Sequence, residues 1–214
     1  MGDQFLLFGD EPSPPAPRRP SASPVPAATV RRQPGHSLFL ALVPTSEDAA
    51  GIVESGRRIE RDCGVRGRAL EAERLHVSLY PVGAYDDVLP QELVDAVRAA
   101  ADKVTHPAFD VVFDRAATFG GAAQSRPFVL KSGDDGLLVP LHAFRVVLGV
   151  ALADAGLPIT DRKMTPHMTL SYAPQVAAEI AMAPLRWRAR EFVLIDSHVG
   201  QHEYRMLGRW ALTD

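Results

Sequence analysis

One cysteine, Cys63, is all that 214 residues contain. An intramolecular disulfide framework and any multi-cysteine metal site are thereby excluded, and a reducing compartment, by default the cytoplasm, is expected. Charge of one sign is scarce as well. A formal net charge of −3 gives no global attraction to nucleic acid, so phosphate binding must be local. No apolar run approaches the length of a transmembrane helix, and no membrane association is expected. The apolar stretch from Phe5 to Phe8 has no basic region before it and is followed by Asp10 and Glu11, unlike a signal peptide. A Gly-rich loop following a strand is also missing, which leaves a doubly wound nucleotide-binding fold without support.

Proline, by contrast, is abundant and unevenly placed. Eight of the 18 prolines fall between Pro12 and Pro34, in a segment too poor in apolar residues to pack. Residues 1–35 therefore read as a disordered tail, and residues 36–214 as one globular domain. Inside the tail, Gln4-Phe5-Leu6-Leu7-Phe8 is a compact apolar cluster. Its Gln-x-x-Leu-Phe spacing resembles the short motif by which bacterial replication and repair proteins bind the sliding clamp, with Gln4, Leu7 and Phe8 as anchors.

The domain is organised around two similar stretches. Pro166-His167-Met168-Thr169-Leu170-Ser171-Tyr172 alternates polar and apolar residues and reads as a strand. Strict alternation puts His167, Thr169 and Ser171 on one face, and Met168, Leu170 and Tyr172 on the other. Two strand rises separate imidazole from hydroxyl by roughly 6.7 Å at the backbone, close enough for both side chains to converge on one small anion. Leu75-His76-Val77-Ser78-Leu79-Tyr80 has the same order of His, apolar, hydroxyl, apolar, and precedes the other by about half the domain length. A lone histidine on a strand is an ordinary structural residue; the repeat points to two similar lobes meeting at a cleft.

Around these motifs, Ser37–Val43 reads as a buried strand ended by Pro44. A helix starts at Ser46, with Gly64 beyond it, and an Arg-rich turn leads to the first His strand, which Pro81 and Gly83 should end. A second helix spans Gln91–Val104, strands cover Phe109–Phe113 and Phe128–Leu130, and the clearest helix runs from Leu137 to Ala155. Strands at Glu191–Asp196 and Tyr204–Leu212 close the domain. Hairpins mixed with separated helices indicate an α+β fold.

These residues resemble the 2H phosphoesterases, specifically the RNA 2′,3′-cyclic phosphodiesterases also called 2′-5′ RNA ligases, whose hallmark is two His-x-Ser/Thr-x motifs. The likeness extends from about Ser37 to Leu212 and leaves the tail outside. It implies two pseudo-symmetric lobes of antiparallel sheet backed by helices, with a central cleft, and no cofactor. His76 and His167 would be catalytic, with Ser78 and Thr169 holding phosphate; Tyr172 and Arg126 are further candidates for substrate binding. Three positions depart from the commoner bacterial pattern: Ser78 stands for Thr, Tyr172 where many members carry Arg, and Lys131 where many carry Trp.

The implied reaction is metal-independent hydrolysis of RNA 2′,3′-cyclic phosphate ends by a monomer, leaving a 2′-phosphate, with reversible 2′-5′ ligation as its companion. Two imidazoles with ordinary pKa values near 6.5 can serve as base and acid at once. Alternatives are a phosphodiesterase for another small cyclic or 2′-5′-linked nucleotide, and an RNA-end-binding module without turnover. Strand alternation would bury Tyr172 in the core, opposite His167. Arg126, Lys131, Arg162 and Lys163 offer cleft charge, though basic loop residues are commonly just solvated. His198 and His202 have a metal-like spacing but enclose Gly200 and lack a cysteine partner, so no metal site is expected. His36 in a linker, His106 at a helix end and His142 on a helix read as surface or structural.

Overall fold

The computed structural model describes residues 35–214 except 87, 121–123, 159–163, 199, 200 and 202. The expected tail with Gln4, Leu7 and Phe8, together with Arg162, Lys163 and His202, lies outside the described residues. Within them the chain is α+β: nine strands form one sheet, with three α-helices. In chain order the strands are β1 (His36–Leu42), β2 (Arg68–Ala69), β3 (Val77–Tyr85), β4 (Phe109–Thr118), β5 (Arg126–Lys131), β6 (His167–Ala173), β7 (Ile180–Ala189), β8 (Glu191–His198) and β9 (Glu203–Ala211). The helices are α1 (Ser46–Asp62), α2 (Gln91–Ala101) and α3 (Val139–Asp154).

The sheet runs β7-β4-β5-β6-β3-β1-β8-β9, with β2 attached to β6. It divides into two four-stranded halves, β7-β4-β5-β6 and β3-β1-β8-β9. A single register pair, Val77 with Met168, joins them. Those residues directly follow His76 and His167, so the two motifs meet at the seam.

One face of the sheet carries the helices. Ala49 and Ile52 of α1, Val94, Val97 and Ala100 of α2, and Leu141, Phe144, Leu148 and Leu152 of α3 are buried with Leu38, Leu40, Val77, Leu130, Met168, Phe192 and Leu194. This apolar layer supplies most of the drive to fold, at about 25 cal/mol per Å² of apolar surface removed from water. The opposite face carries a small cluster of Ala41, Val43, Val193 and Ile195 beside Phe39 and Tyr204, and it is the face that holds the histidines.

Several boundaries differ from the sequence reading, for identifiable reasons. Thr45, not Ser46, caps α1, its hydroxyl accepting the Asp48 N–H at 3.1 Å. Gly64 and Gly156, at φ +66° and +74°, terminate α1 and α3 in the left-handed region as expected. His36 belongs to β1 rather than to a linker. β3 continues through Pro81 and Gly83, because a register shift lies between Leu38–Gly83 and Phe39–Pro81, and a bulge is where a strand tolerates proline. The Arg-rich turn contains the two-residue strand β2. β7 has no sequence signal: it is an edge strand, mostly exposed, with Pro184 inside its irregular stretch.

Contrary to the sequence reading, Asp135–Asp154 is long and apolar enough to cross a membrane by length and composition. Its Leu141, Phe144, Leu148 and Leu152 are buried against the sheet, while Val139, Val146 and Val150 face outward. One stripe of this helix is thus already occupied by the core.

Candidate active site

Both motif strands contain the same irregularity. On β3, Leu40 pairs with Tyr80 and Ala41 with Ser78, so Leu79 is the extra residue of a bulge. On β6, Phe128 pairs with Ser171 and Val129 with Thr169, so Leu170 is extra. The bulge follows each motif at one and the same offset, three residues after the histidine. It inverts the in–out alternation downstream. Ser171 is therefore fully buried and Tyr172 is 42% exposed, the reverse of what strict alternation predicts. Tyr172 leaves the core and joins the histidine face, while the Ser171 hydroxyl is buried with no hydrogen-bond partner among the described residues.

Upstream of the bulges the expected faces hold. Val77, Leu79, Met168 and Leu170 are buried, whereas His76, Ser78, His167 and Thr169 are half-exposed. Continuing the Val77–Met168 register by one residue each way sets His76 across from Thr169 and Ser78 across from His167. Each imidazole thus faces the hydroxyl of the other motif, and all four candidates come together on one face.

The two imidazoles are held alike. His76 Nδ1 donates to the Arg74 carbonyl at 2.8 Å, and His167 Nδ1 donates to the Thr165 carbonyl at 2.9 Å. A carbonyl only accepts, so Nδ1 carries the hydrogen in both rings and Nε2 is left for other work. A phenylalanine steadies each ring, Phe39 at 5.2 Å from His76 and Phe119 at 4.9 Å from His167 between centroids. Burial lowers the His76 pKa from its ordinary 6.5, partly opposed by the Arg74 carbonyl and reinforced by the charges of His167 and Arg74.

Sequence reasoning missed the aromatic and cationic surroundings. Tyr204 of β9 packs edge-on against His76, at 5.5 Å, and the Arg74 guanidinium lies 4.5 Å from the Tyr204 ring centroid. Burial, then the neighbouring Tyr204, raises the Tyr172 pKa, while Arg74 lowers it, which puts Tyr172 in the same surroundings. From Arg74 and Tyr204 an open groove of about 900 Å³ runs along the sheet face past Met206 to Arg190 and Arg209. No spacing in the sequence could have shown that β9 comes to lie beside the first motif.

Beside His167, Lys131 is its register partner on β5, and Arg115 is the partner of Lys131 on β4. Both cations are held: Lys131 Nζ lies 2.5 Å from Glu179, and Arg115 lies 2.9 Å from Asp114. Arg126 sits at the other end of β5, opposite Ala173, and donates to the Pro174 carbonyl at 3.0 Å. It is not brought to His167.

The sequence profile of the 2′-5′ RNA ligase superfamily matches residues 46–201. No curated protein sequence matches. Among solved structures, one described as a phosphoesterase is 23% identical, covering 86% of this chain and 100% of its own, with a TM-score of 0.58. Escherichia coli LigT complexed with ATP is 23% identical, covering 84% of this chain and 99% of its own, with a TM-score of 0.57. TT0787 of Thermus thermophilus is 20% identical, covering 82% and 97%, with a TM-score of 0.58. At these identities the structures establish the likeness of fold.

Proposed function

From the premise that the chain belongs to the 2′-5′ RNA ligase superfamily, and so is a phosphoesterase, we propose that it hydrolyses RNA ends bearing a 2′,3′-cyclic phosphate without a metal ion, leaving a 2′-phosphate. The observation that carries this reading is the pair of imidazoles anchored through Nδ1, each facing the other motif's hydroxyl across the seam. Ring opening needs a base for the attacking water and an acid for the departing sugar oxygen. His76, whose pKa burial lowers, is the base: its neutral Nε2 takes a proton as water oxygen bonds to phosphorus. The bond from phosphorus to O3′ breaks, and His167 gives its Nε2 proton to O3′. Ser78 and Thr169 donate to the non-bridging oxygens. An RNA 5′-hydroxyl in place of water would form a 2′-5′ bond by the same transfers.

The groove adjoining Tyr204 and Arg74 supports a substrate that continues beyond the cyclic phosphate, and exposed Tyr172 offers a second ring for stacking on a base. Turnover of a 2′,3′-cyclic-phosphate oligonucleotide, with the product end group identified, tests the reading. His76→Ala and His167→Ala should each cost on the order of 10²–10⁴ in rate, and the double variant much less than the product. Because the base must be neutral, the acid limb of kcat/KM should lie below pH 6.5 in the wild type. Near wild-type turnover by either folded variant refutes the mechanism.

A further part of the proposal concerns the tail, where Gln4, Leu7 and Phe8 would dock the enzyme on a bacterial sliding clamp. A labelled peptide of the first dozen or so residues should bind clamp more tightly than its triple-alanine counterpart; equal binding sinks this part alone.

A further inference from the structure

At the start of β1 and the end of β8, three metal-ligating side chains converge that the phosphoesterase reading does not use. His36 opens β1, and Asp196 and His198 end β8; His36 and His198 are register partners. Strand parity separates them from the catalytic face. Asp196 pairs with Leu38 and shares parity with Leu194 and Phe192, all of which face the helices, whereas Phe39 and Tyr204 surround His76 on the other side. The cluster thus lies on the far side of the sheet from the histidine pair.

We propose that His36, Asp196 and His198 form a binding site for one zinc-class divalent transition ion. Three observations carry it. First, the spacing suits an ion as well as it suits the long hydrogen bond between His36 Nδ1 and Asp196. His36 Nδ1 lies 3.2 Å from one carboxylate oxygen of Asp196, and His198 Nε2 lies 3.4 Å from the other. Charge-assisted hydrogen bonds are shorter, about 2.7–2.9 Å. Ligands of a tetrahedral ion with bonds of roughly 2.0–2.1 Å stand about 3.3–3.4 Å apart. One ligand atom from each of the three residues already lies within 4.8 Å of the others.

Second, Asp196 is 2% exposed, and among the described residues neither a lysine nor an arginine forms an ion pair with it. Arg205, its register partner on β9, is exposed. A buried carboxylate needs a counter-charge, and a dication would supply one. Third, outer groups are in place to orient the ligands. Glu203, the register partner of His198, sits 3.7 Å from His198 Nδ1, the nitrogen left over when Nε2 faces the ion. Tyr85, the register partner of His36, stacks on it at 4.6 Å, and burial, then a hydrogen bond to Asp196 and its charge, raise the Tyr85 pKa, with Arg205 opposing. Two imidazoles and a carboxylate are nitrogen and oxygen donors of the kind that zinc accepts. The bound ion would tie the first residue of β1 to the last of β8.

Calorimetric titration of the metal-stripped full chain with zinc alone tests this. One equivalent should bind to the wild type, to His106→Gln and to His76→Ala. Affinity should fall about 100-fold or more in His36→Gln and in His198→Gln, and about 10–100-fold in Glu203→Gln. Circular dichroism establishes that each variant is folded; should Asp196→Asn unfold, the two half-exposed histidines still give the answer. Failure of the folded wild type to bind zinc, retention of binding in both His36→Gln and His198→Gln, or its loss in His76→Ala overturns the proposal. Turnover on the cyclic-phosphate oligonucleotide is read separately: the metal-stripped chain should keep its rate, so failure here is distinguishable from failure of the proposed hydrolysis.

Discussion

Among single residues, Ser171 and Tyr172 give the sharpest contrast between a pattern and a structure. A seryl hydroxyl buried without a partner among the described residues contributes a desolvation cost and no offsetting bond there. Ser171→Ala should therefore leave stability unchanged or raise it by up to about 1 kcal/mol, and leave turnover intact. Tyr172→Ala removes a ring that is 42% exposed, so the urea midpoint should shift by no more than about 0.5 kcal/mol equivalent while KM for the oligonucleotide rises. A core tyrosine would behave oppositely, and Tyr172→Ala losing several kcal/mol would restore the simple alternation. What the sequence made legible at this scale is the duplicated set His76, Ser78, His167 and Thr169, which the structure brings together at the seam. It could not make legible the residues around them, because Tyr204, Phe39 and Phe119 reach the histidines from other strands.

Elements with a strong internal signal were readable to within a few residues: α1, α2 and α3 through the helical spacing of the face they bury, β1 and β8 as continuous apolar runs buried on both faces of the sheet. Elements defined by their partners were not. β2 is two exposed residues whose only strand character is pairing with Tyr172 and Ser171, and β7 pairs with β4 along an irregular edge. Gly67 makes the first of these pairings sterically demanding. A Cβ there would collide with the Tyr172 carbonyl oxygen and come within 2.8 Å of Ala173 Cβ. Gly67→Ala should accordingly lose about 1–3 kcal/mol in urea unfolding by forcing β2 away from β6. A cost below about 0.5 kcal/mol would mean that β2 yields freely and does not brace the second motif.

For the whole molecule, the duplicated motif was enough to anticipate two halves and a shared site, but not the seam between them, because no local pattern encodes which strand edges meet. Every described site residue lies between His36 and Arg209. A chain beginning at Gly35 should therefore keep the full chain's kcat and KM on the oligonucleotide while losing any clamp binding; a large fall in kcat would show that the tail belongs to the catalytic unit. The seam has a mechanical consequence. Elsewhere along the strand order four to eight register pairs knit neighbours, from β4 and β5 to β8 and β9, but one pair joins the halves. Each imidazole is pinned to a carbonyl of its own half, Arg74 or Thr165, so the two rings resemble the jaws of a calliper pivoting at Val77 and Met168. The apolar layer beneath sets its stiffness, and small angular play at the pivot becomes a change in the gap between the jaws.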